Sequence, residues 1–283
     1  LMRASLSAEL LKLRRRPAMW LIAGVWLALS VVFGYLFPYL SFRGEFSGAG
    51  TAGTPAELVL AEALPGRLAA SAIQGFPLFA GALALILGAL AAGSEYGWGT
   101  MKTVLARGPG RLAVLAGKVG ALGLVMLAVV LATFAVDAAA GWLVAVATSH
   151  PVAWPPPADL ARAVAAGWLI VAMWCAAGMF LGILVRGTAL AIGGGLVWAL
   201  AVENLGRVFA SILDAVDVLM RWTPATNAGS LAAALGVPVQ GAPGGTPGIT
   251  TTVDGTHATL VLAAYVVVFV AAAAALVQRR DVP

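Results

Sequence analysis

Charge is scarce in this chain. Only 10% of its 283 residues are Asp, Glu, Lys or Arg, against about 25% in an average soluble domain. Hydrophobic residues make up 61%, and the mean hydropathy is +0.96. A water-soluble globule of this length exposes too much surface to hide so much apolar side chain. An apolar solvent, the lipid bilayer, removes the difficulty. Cysteine is nearly absent: Cys175 stands alone inside an apolar run, which excludes an intrachain disulfide. Burial as a small apolar residue is its expected role. The two histidines, His150 and His257, are isolated, so no metal centre is expected.

Catalytic motifs are missing as well. There is no Gly-x-x-x-x-Gly-Lys-Ser/Thr phosphate loop, since Gly117-Lys118 is followed by Val119. Neither a Gly-x-Ser-x-Gly elbow nor a His-Glu-x-x-His pair occurs. No catalytic residue is expected, and an enzyme is a poor fit. The net charge of +5 and pI near 9.9 do not point to nucleic acid, because the basic residues flank apolar runs.

Those runs are what the chain has in abundance. A helix crossing a bilayer core of ~30 Å needs about 20 residues. Charge-free windows of that order lie between Arg16 and Arg43, Arg67 and Glu95, Lys118 and Asp159 (broken by Asp137), Arg162 and Arg186, Arg186 and Glu203, and Asp254 and Arg279. They predict six spans near 18–39, 72–93, 119–147, 161–185, 188–206 and 258–277 within one domain, 1–283. The fifth window is short and needs Glu203 within its helix. Pro155, Pro156 and Pro157 close the third. The first run is too long for a signal-peptide core of ~7–15 residues, so no cleavable signal is expected.

Orientation follows from Lys and Arg. With the amino terminus inside, only Arg43, Arg67, Arg162, Arg207 and Arg221 of the 17 basic residues fall outside. Both termini are then cytoplasmic. Trp20, Tyr39, Trp98, Trp142, Trp154 and Trp222 fall near span ends, where an aromatic belt belongs. Gly193, Gly194 and Gly195 are expected to pack closely against another helix.

Three segments outside the spans carry patterns. Residues 1–17 contain Leu6, Leu10 and Leu13 at helical spacing with Arg3, Lys12 and Arg14 elsewhere, a basic amphipathic helix for the interface. Residues 94–118 form the sizeable inner connection. Thr100 to Arg107 reads as a short helix with Met101, Val104 and Leu105 on one side, ended by Gly108-Pro109-Gly110. Such an element suits docking of another protein. From the end of the fifth span into the outer region 207–257, within the segment Glu203 to His257, Leu205, Val208, Phe209, Ile212, Leu213, Val216, Leu219 and Met220 form one helical stripe that Thr223-Pro224 ends. This region either lies on the outer surface or re-enters the membrane. Within the third span Asp137 is costly, ~2.5–3.5 kcal/mol on insertion scales, and must face protein or water. It serves either a substrate or proton path or a structural hydrogen bond.

The inner loop resembles that of the bacterial ABC-2 type transporter permeases. The matching residues are Glu95, Gly99-Thr100, Met101 to Leu105, Arg111 and Lys118. A second match is Glu203-Asn204-Leu205 followed by Pro224 and Asn227, and a third is the basic segment Glu9 to Arg16. The Pro155–Pro157 run and the Gly-rich 241–248 stretch depart from that pattern. The resemblance implies an all-α six-helix subunit with an interfacial amino-terminal helix and a cytoplasmic coupling helix. It implies pairing into a homodimer or heterodimer in the bacterial plasma membrane. A separate ABC ATPase, holding ATP and Mg, would dock at Ser94 to Arg111. Glu95 would be a polar contact to it, with Gly99, Thr100, Met101, Leu105, Arg107 and Arg111 around it. Glu203, Asn204, Pro224 and Asn227, together with Asp137, become gate or pathway candidates. The implied function is export of an amphipathic drug, antibiotic, peptide or lipid, without a cofactor in this chain. The competing classes are an ion-coupled transporter using Asp137 and a non-transport membrane scaffold.

Overall fold

The computed structural model describes residues 2–46, 54–97, 99, 110–210, 212–242 and 244–280. Among them every regular element is helical. Among the described residues six helices are long and apolar enough to cross a membrane: Pro17–Phe42, Pro65–Gly97, Arg111–Ala147, Pro157–Val185, Ala189–Ala210 and Gly255–Arg279. The third begins at Arg111, eight residues before the expected 119: Gly110 is extended and marks the start, and the charged Arg111 and Lys118, which bounded the apolar window, are compatible with helix. An even number of spans leaves both chain ends on one side, called here the terminal face; the opposite side is the far face.

Two spans change their winding at proline. Val32–Leu36 is a π-helical turn just before Pro38, and Phe76–Ala80 is another that contains Pro77. A missing amide proton and a ring clash explain such local widening. Val197–Val202 in the fifth span is π-helical without a proline.

The second and fourth spans pack backbone to backbone. A Cβ on Gly88 would lie 2.0 Å from the Cys175 carbonyl oxygen, and one on Gly178 would lie 2.0 Å from that of Leu85. One turn further, Gly182 meets the amide nitrogen of Gly93. Lipid is as apolar as leucine, so close approach through small residues is what holds membrane helices together. The expected glycine contact falls elsewhere: Gly193 and Gly194 face open space, and only Gly195 packs, against Leu85. Cys175 is buried in the seam, as expected of a small apolar residue.

The amino-terminal helix Met2–Arg15 lies along the third span. Its apolar stripe is spent on protein rather than on lipid. Leu13 is buried, Leu6 and Leu10 join the same core, and Gly117 sits against Ser5. On the far face, Ala56–Glu62 folds over the end of the first span, with Leu60 and Ala63 fully buried beside Tyr35.

The outer stripe is not one helix. It runs from Glu203 to Ala210, breaks at extended Leu213, and resumes as Asp214–Met220. The second piece folds back, bringing the Met220 sulfur within 2.6 Å of a Cβ placed on Gly206. Periodicity survives because both pieces keep apolar residues at helical spacing; the reversal carries no proline or glycine to announce it.

Candidate functional site

At the terminal face, four ionised side chains from three elements converge. Glu9 comes from the amino-terminal helix, Glu95 from the end of the second span, and Lys118 from the early turns of the third. Lys118 Nζ donates to Glu9 Oε2 at 2.9 Å and to the Ala91 carbonyl at 2.9 Å, and lies 3.1 Å from Glu95 Oε1. Its three protons are thereby placed. Lys12 Nζ reaches Glu9 Oε1 at 2.5 Å and Glu95 Oε1 at 3.0 Å. The side chains of Glu9, Glu95 and Lys118 are 6%, 4% and 4% exposed. Two carboxylates and two ammonium groups balance, which is the condition for burying them.

The two groups outside the spans respond to this setting. Burial alone raises the Glu9 carboxyl, but Lys118 and Lys12 outweigh it and hold it below the usual 4.5. Burial alone lowers Lys12, but bonds to Glu9 and attraction to Glu95 hold it above 10.5.

Glu95 therefore faces inward. The sequence reading turns it toward a partner, whereas the structure encloses its carboxylate between Lys12 and Lys118. Arg111 is likewise engaged within the chain. Its Nη1 donates to the carbonyls of Val277, Gln278 and Arg280 at 3.2, 3.2 and 2.9 Å. These are carbonyls that the end of the last helix cannot satisfy itself. Arg280 Nη1 donates in turn to Leu184 O at 2.7 Å, and Arg16 Nη1 to Leu90 O at 3.0 Å. Gly99 turns with φ +64, a conformation natural to glycine. Thr100, Met101, Leu105 and Arg107, and with them the expected coupling helix, lie outside the described residues.

In the bundle interior, Asp137 is fully buried. Ser30 Oγ of the first span donates to its Oδ2 at 2.8 Å, while Oδ1 has no hydrogen-bond partner among the described residues. Tyr35 and Ser71, whose hydroxyls are 3.2 Å apart, bridge the first and second spans.

At the far face the chain makes a hairpin between the fifth and sixth spans. Asp214–Met220 descends and Pro224–Ala234 climbs. Tyr265 OH donates to the Trp222 carbonyl at 3.1 Å. His257 Nε2 lies 3.3 Å from the Arg221 carbonyl oxygen and its ring packs 4.9 Å from that of Trp222, so the turn lies beside the first three turns of the helix that starts at Gly255. At the other end of the climbing helix, Ala234 meets Gly255. The climbing helix packs against the bundle, with Pro224 to Ala232 buried.

Glu203 supports the hairpin tip. Fully buried, its Oε2 accepts from the Ala225 amide at 2.8 Å, one of the free donors at the start of the climbing helix. Pro224 opens that helix, where proline costs no hydrogen bond. Asn227 Nδ2 donates to the carbonyls of Thr223 at 2.8 Å and Arg221 at 2.9 Å, closing the turn. Glu203, Pro224 and Asn227 are thus brought together. Asn204 is not: it is exposed, donating to Leu200 O and accepting from Arg207. Asp137 belongs to a separate contact with the first span.

The sequence brings out Lys118 and the segment Glu9 to Arg16 only as family matches, with no role for Glu9, Lys12 or Lys118, and does not single out Ser30. One signal was present. Glu9 lies on the same side as Leu6 and Leu13, and a carboxylate on an apolar stripe needs a cation opposite it. For Ser30 nothing local stands out.

Six apolar helices among the described residues, with a buried ionic knot at one face and a buried hairpin at the other, indicate a multi-pass membrane protein. The sequence profile of the family described as "ABC-2 family transporter protein" matches residues 4–282. The chain belongs to that family and is a permease of the ABC transporter class, a transmembrane subunit without its own ATPase. No curated protein matches it.

Proposed function

We propose that this chain is the membrane half of an ATP-driven exporter in a bacterial plasma membrane, with its terminal face in the cytoplasm. The excess of Lys and Arg on that face supports this orientation. A separate ATPase, carrying ATP and Mg, docks on the connection 94–118. Two permease chains pair, and an amphipathic substrate such as a drug, antibiotic, peptide or lipid crosses toward the far face.

The ionic knot carries this reading. Glu95 and Lys118 stand at the two stems of the connection, and both are tied to the amino-terminal helix through Glu9 and Lys12. A push on the connection then moves the second span, the third span and that helix as one body. Glu95 and Arg111 act by holding the stems, and the loop between them makes the contact. The far hairpin, supported by Glu203, is the element whose shift opens the exit.

The test is co-expression and co-purification with phosphate-loop ATPases from the same genome. Wild type is expected to bring it down. Arg107→Glu in the loop is expected to release it while leaving the permease folded, and Glu95→Gln is expected to weaken transport more than assembly. Recovery of the permease without any ATPase, in wild type and variants alike, defeats the proposal. The unpartnered Oδ1 of Asp137 supports one second reading, transport driven by an ion gradient. That reading requires transport to persist without the ATPase and to vanish in Asp137→Asn.

A further inference from the structure

We propose that the outward side of the amino-terminal helix and the first turn of the first span form a seat for the headgroup of an anionic phospholipid. The helix divides its residues by spacing. Arg3, Ser7, Leu11 and Arg14 recur at i, i+4, i+8 and i+11, with Arg15 beside them, and all are exposed. The opposite side carries Glu9 and Leu13 and is buried against the third span.

That division fixes the charge of the seat. Glu9 is the helix's single acidic residue, and it is consumed by Lys118 and Lys12. The first span, Pro17–Phe42, adds no acidic residue. The outward side is therefore purely cationic. Among the described residues, the guanidinium groups of Arg3, Arg14 and Arg15 make no hydrogen bond or ion pair. Three forked donors without an acceptor suit a phosphate, which guanidinium binds through two parallel hydrogen bonds.

The apolar part of a lipid is provided for as well. Trp20 Nε1 donates to the Arg14 carbonyl at 2.8 Å, which pins the indole beside the arginine pair. The ring nevertheless stays 64% exposed, next to Leu21 at 69% and Leu11 at 53%. An indole with its polar edge satisfied and its face open suits the depth where headgroup gives way to chain. The helix cannot roll, because its other side is locked by the ionic knot. The arginine pair is thus displayed at a fixed height at the membrane edge, and a bound lipid would bear on the same helix that grips Glu95 and Lys118. A soluble anion would use the arginines but leave Trp20 and Leu21 in water, so the seat favours a lipid.

The test uses the full chain in mixed micelles holding equal phosphatidylglycerol and phosphatidylcholine, with retained lipids counted by native mass spectrometry. Wild type is expected to retain phosphatidylglycerol in preference, and R14Q/R15Q to lower that preference roughly tenfold. R162Q, an exposed arginine on the far face with its side chain 72% open, is expected to change nothing. Rising salt should erode the wild-type preference. Equal retention of the two lipids by wild type, a preference that ignores salt, or one unchanged in R14Q/R15Q overturns the proposal. So does displacement of the lipid by excess soluble glycerol phosphate, which would assign the arginines to a free anion. None of these outcomes depends on whether an ATPase co-purifies, so this proposal and the exporter reading fail separately.

Discussion

Lys118 and Glu9 are 109 positions apart in the chain, yet their charged atoms meet at 2.9 Å with both side chains nearly sealed from solvent. This bond, with its extensions to Lys12 and Glu95, fastens the amino-terminal helix to both stems of the 94–118 connection. Breaking it by removing one member strands a buried charge. Lys118→Ala is expected to cost about 3–5 kcal/mol, read as a lowered thermal midpoint of the full chain in detergent. Combining Lys118→Ala with Glu9→Ala should cost clearly less than the two single losses added together, because the stranded charge is removed with its partner.

The knot also sets a pH response. Glu9, held below 4.5, contributes stability that is complete above its unfolded value and is lost as pH falls through the lower folded value. Lys12, held above 10.5, contributes stability that is present below 10.5 and lost as pH rises through its higher folded value. The difference in thermal midpoint between wild type and Glu9→Gln should therefore be flat from roughly pH 5 to pH 10. It should shrink as pH falls below 4.5. A difference that grows in acid would contradict this assignment.

Gly88 and Gly178 are each 2.0 Å, measured from an added Cβ, from a carbonyl oxygen on the opposing helix. Backbone cannot yield as a flexible side chain does. Gly88→Ala is expected to push the second and fourth spans apart and cost about 3 kcal/mol, the upper part of the overpacking range. Gly193→Ala, with nothing near the added carbon, should leave the thermal midpoint within error of wild type.

Ser30 supplies the one hydrogen bond that Asp137 receives among the described residues. Ser30→Ala leaves a buried oxygen without its donor and should cost about 1–3 kcal/mol. Asp137→Asn keeps an acceptor for Ser30 and, under the ATP-driven reading, retains transport in reconstituted vesicles. Loss of transport in a stably folded Asp137→Asn protein would move the driving force to that carboxyl.

The spans were legible before the structure because insertion depends on the local sum of side-chain transfer energies. Arg16, Arg43, Arg67 and Glu95 bracket their runs without reference to any other part of the chain. Ser30 and Asp137 were not legible as a pair, because each depends on which way its helix is turned. The stripe from Leu205 to Met220 misled for a related reason. Its spacing is helical, but spacing alone cannot reveal that Leu213 is extended and that Met220 returns to Gly206. Gly88, Gly178 and Gly182 were passed over in favour of the conspicuous Gly193–Gly195 run, since a glycine shows its use only when the opposing backbone is known.

The sequence by itself determined the solvent, the six crossings, the common side of the two ends and the lack of a phosphate loop. Each of these follows from additive, short-range quantities: apolar length, flanking charge and motif spacing. The tertiary structure decided that Glu95 faces inward to two lysines, that Arg111 caps the last helix, and that Glu203 supports a buried hairpin turn. Those outcomes rest on the rotation and depth of each helix. In lipid, hydrophobicity scarcely distinguishes one apolar face from another. Close glycine contacts and satisfied buried charges then fix the arrangement, and both exist only once distant segments have met.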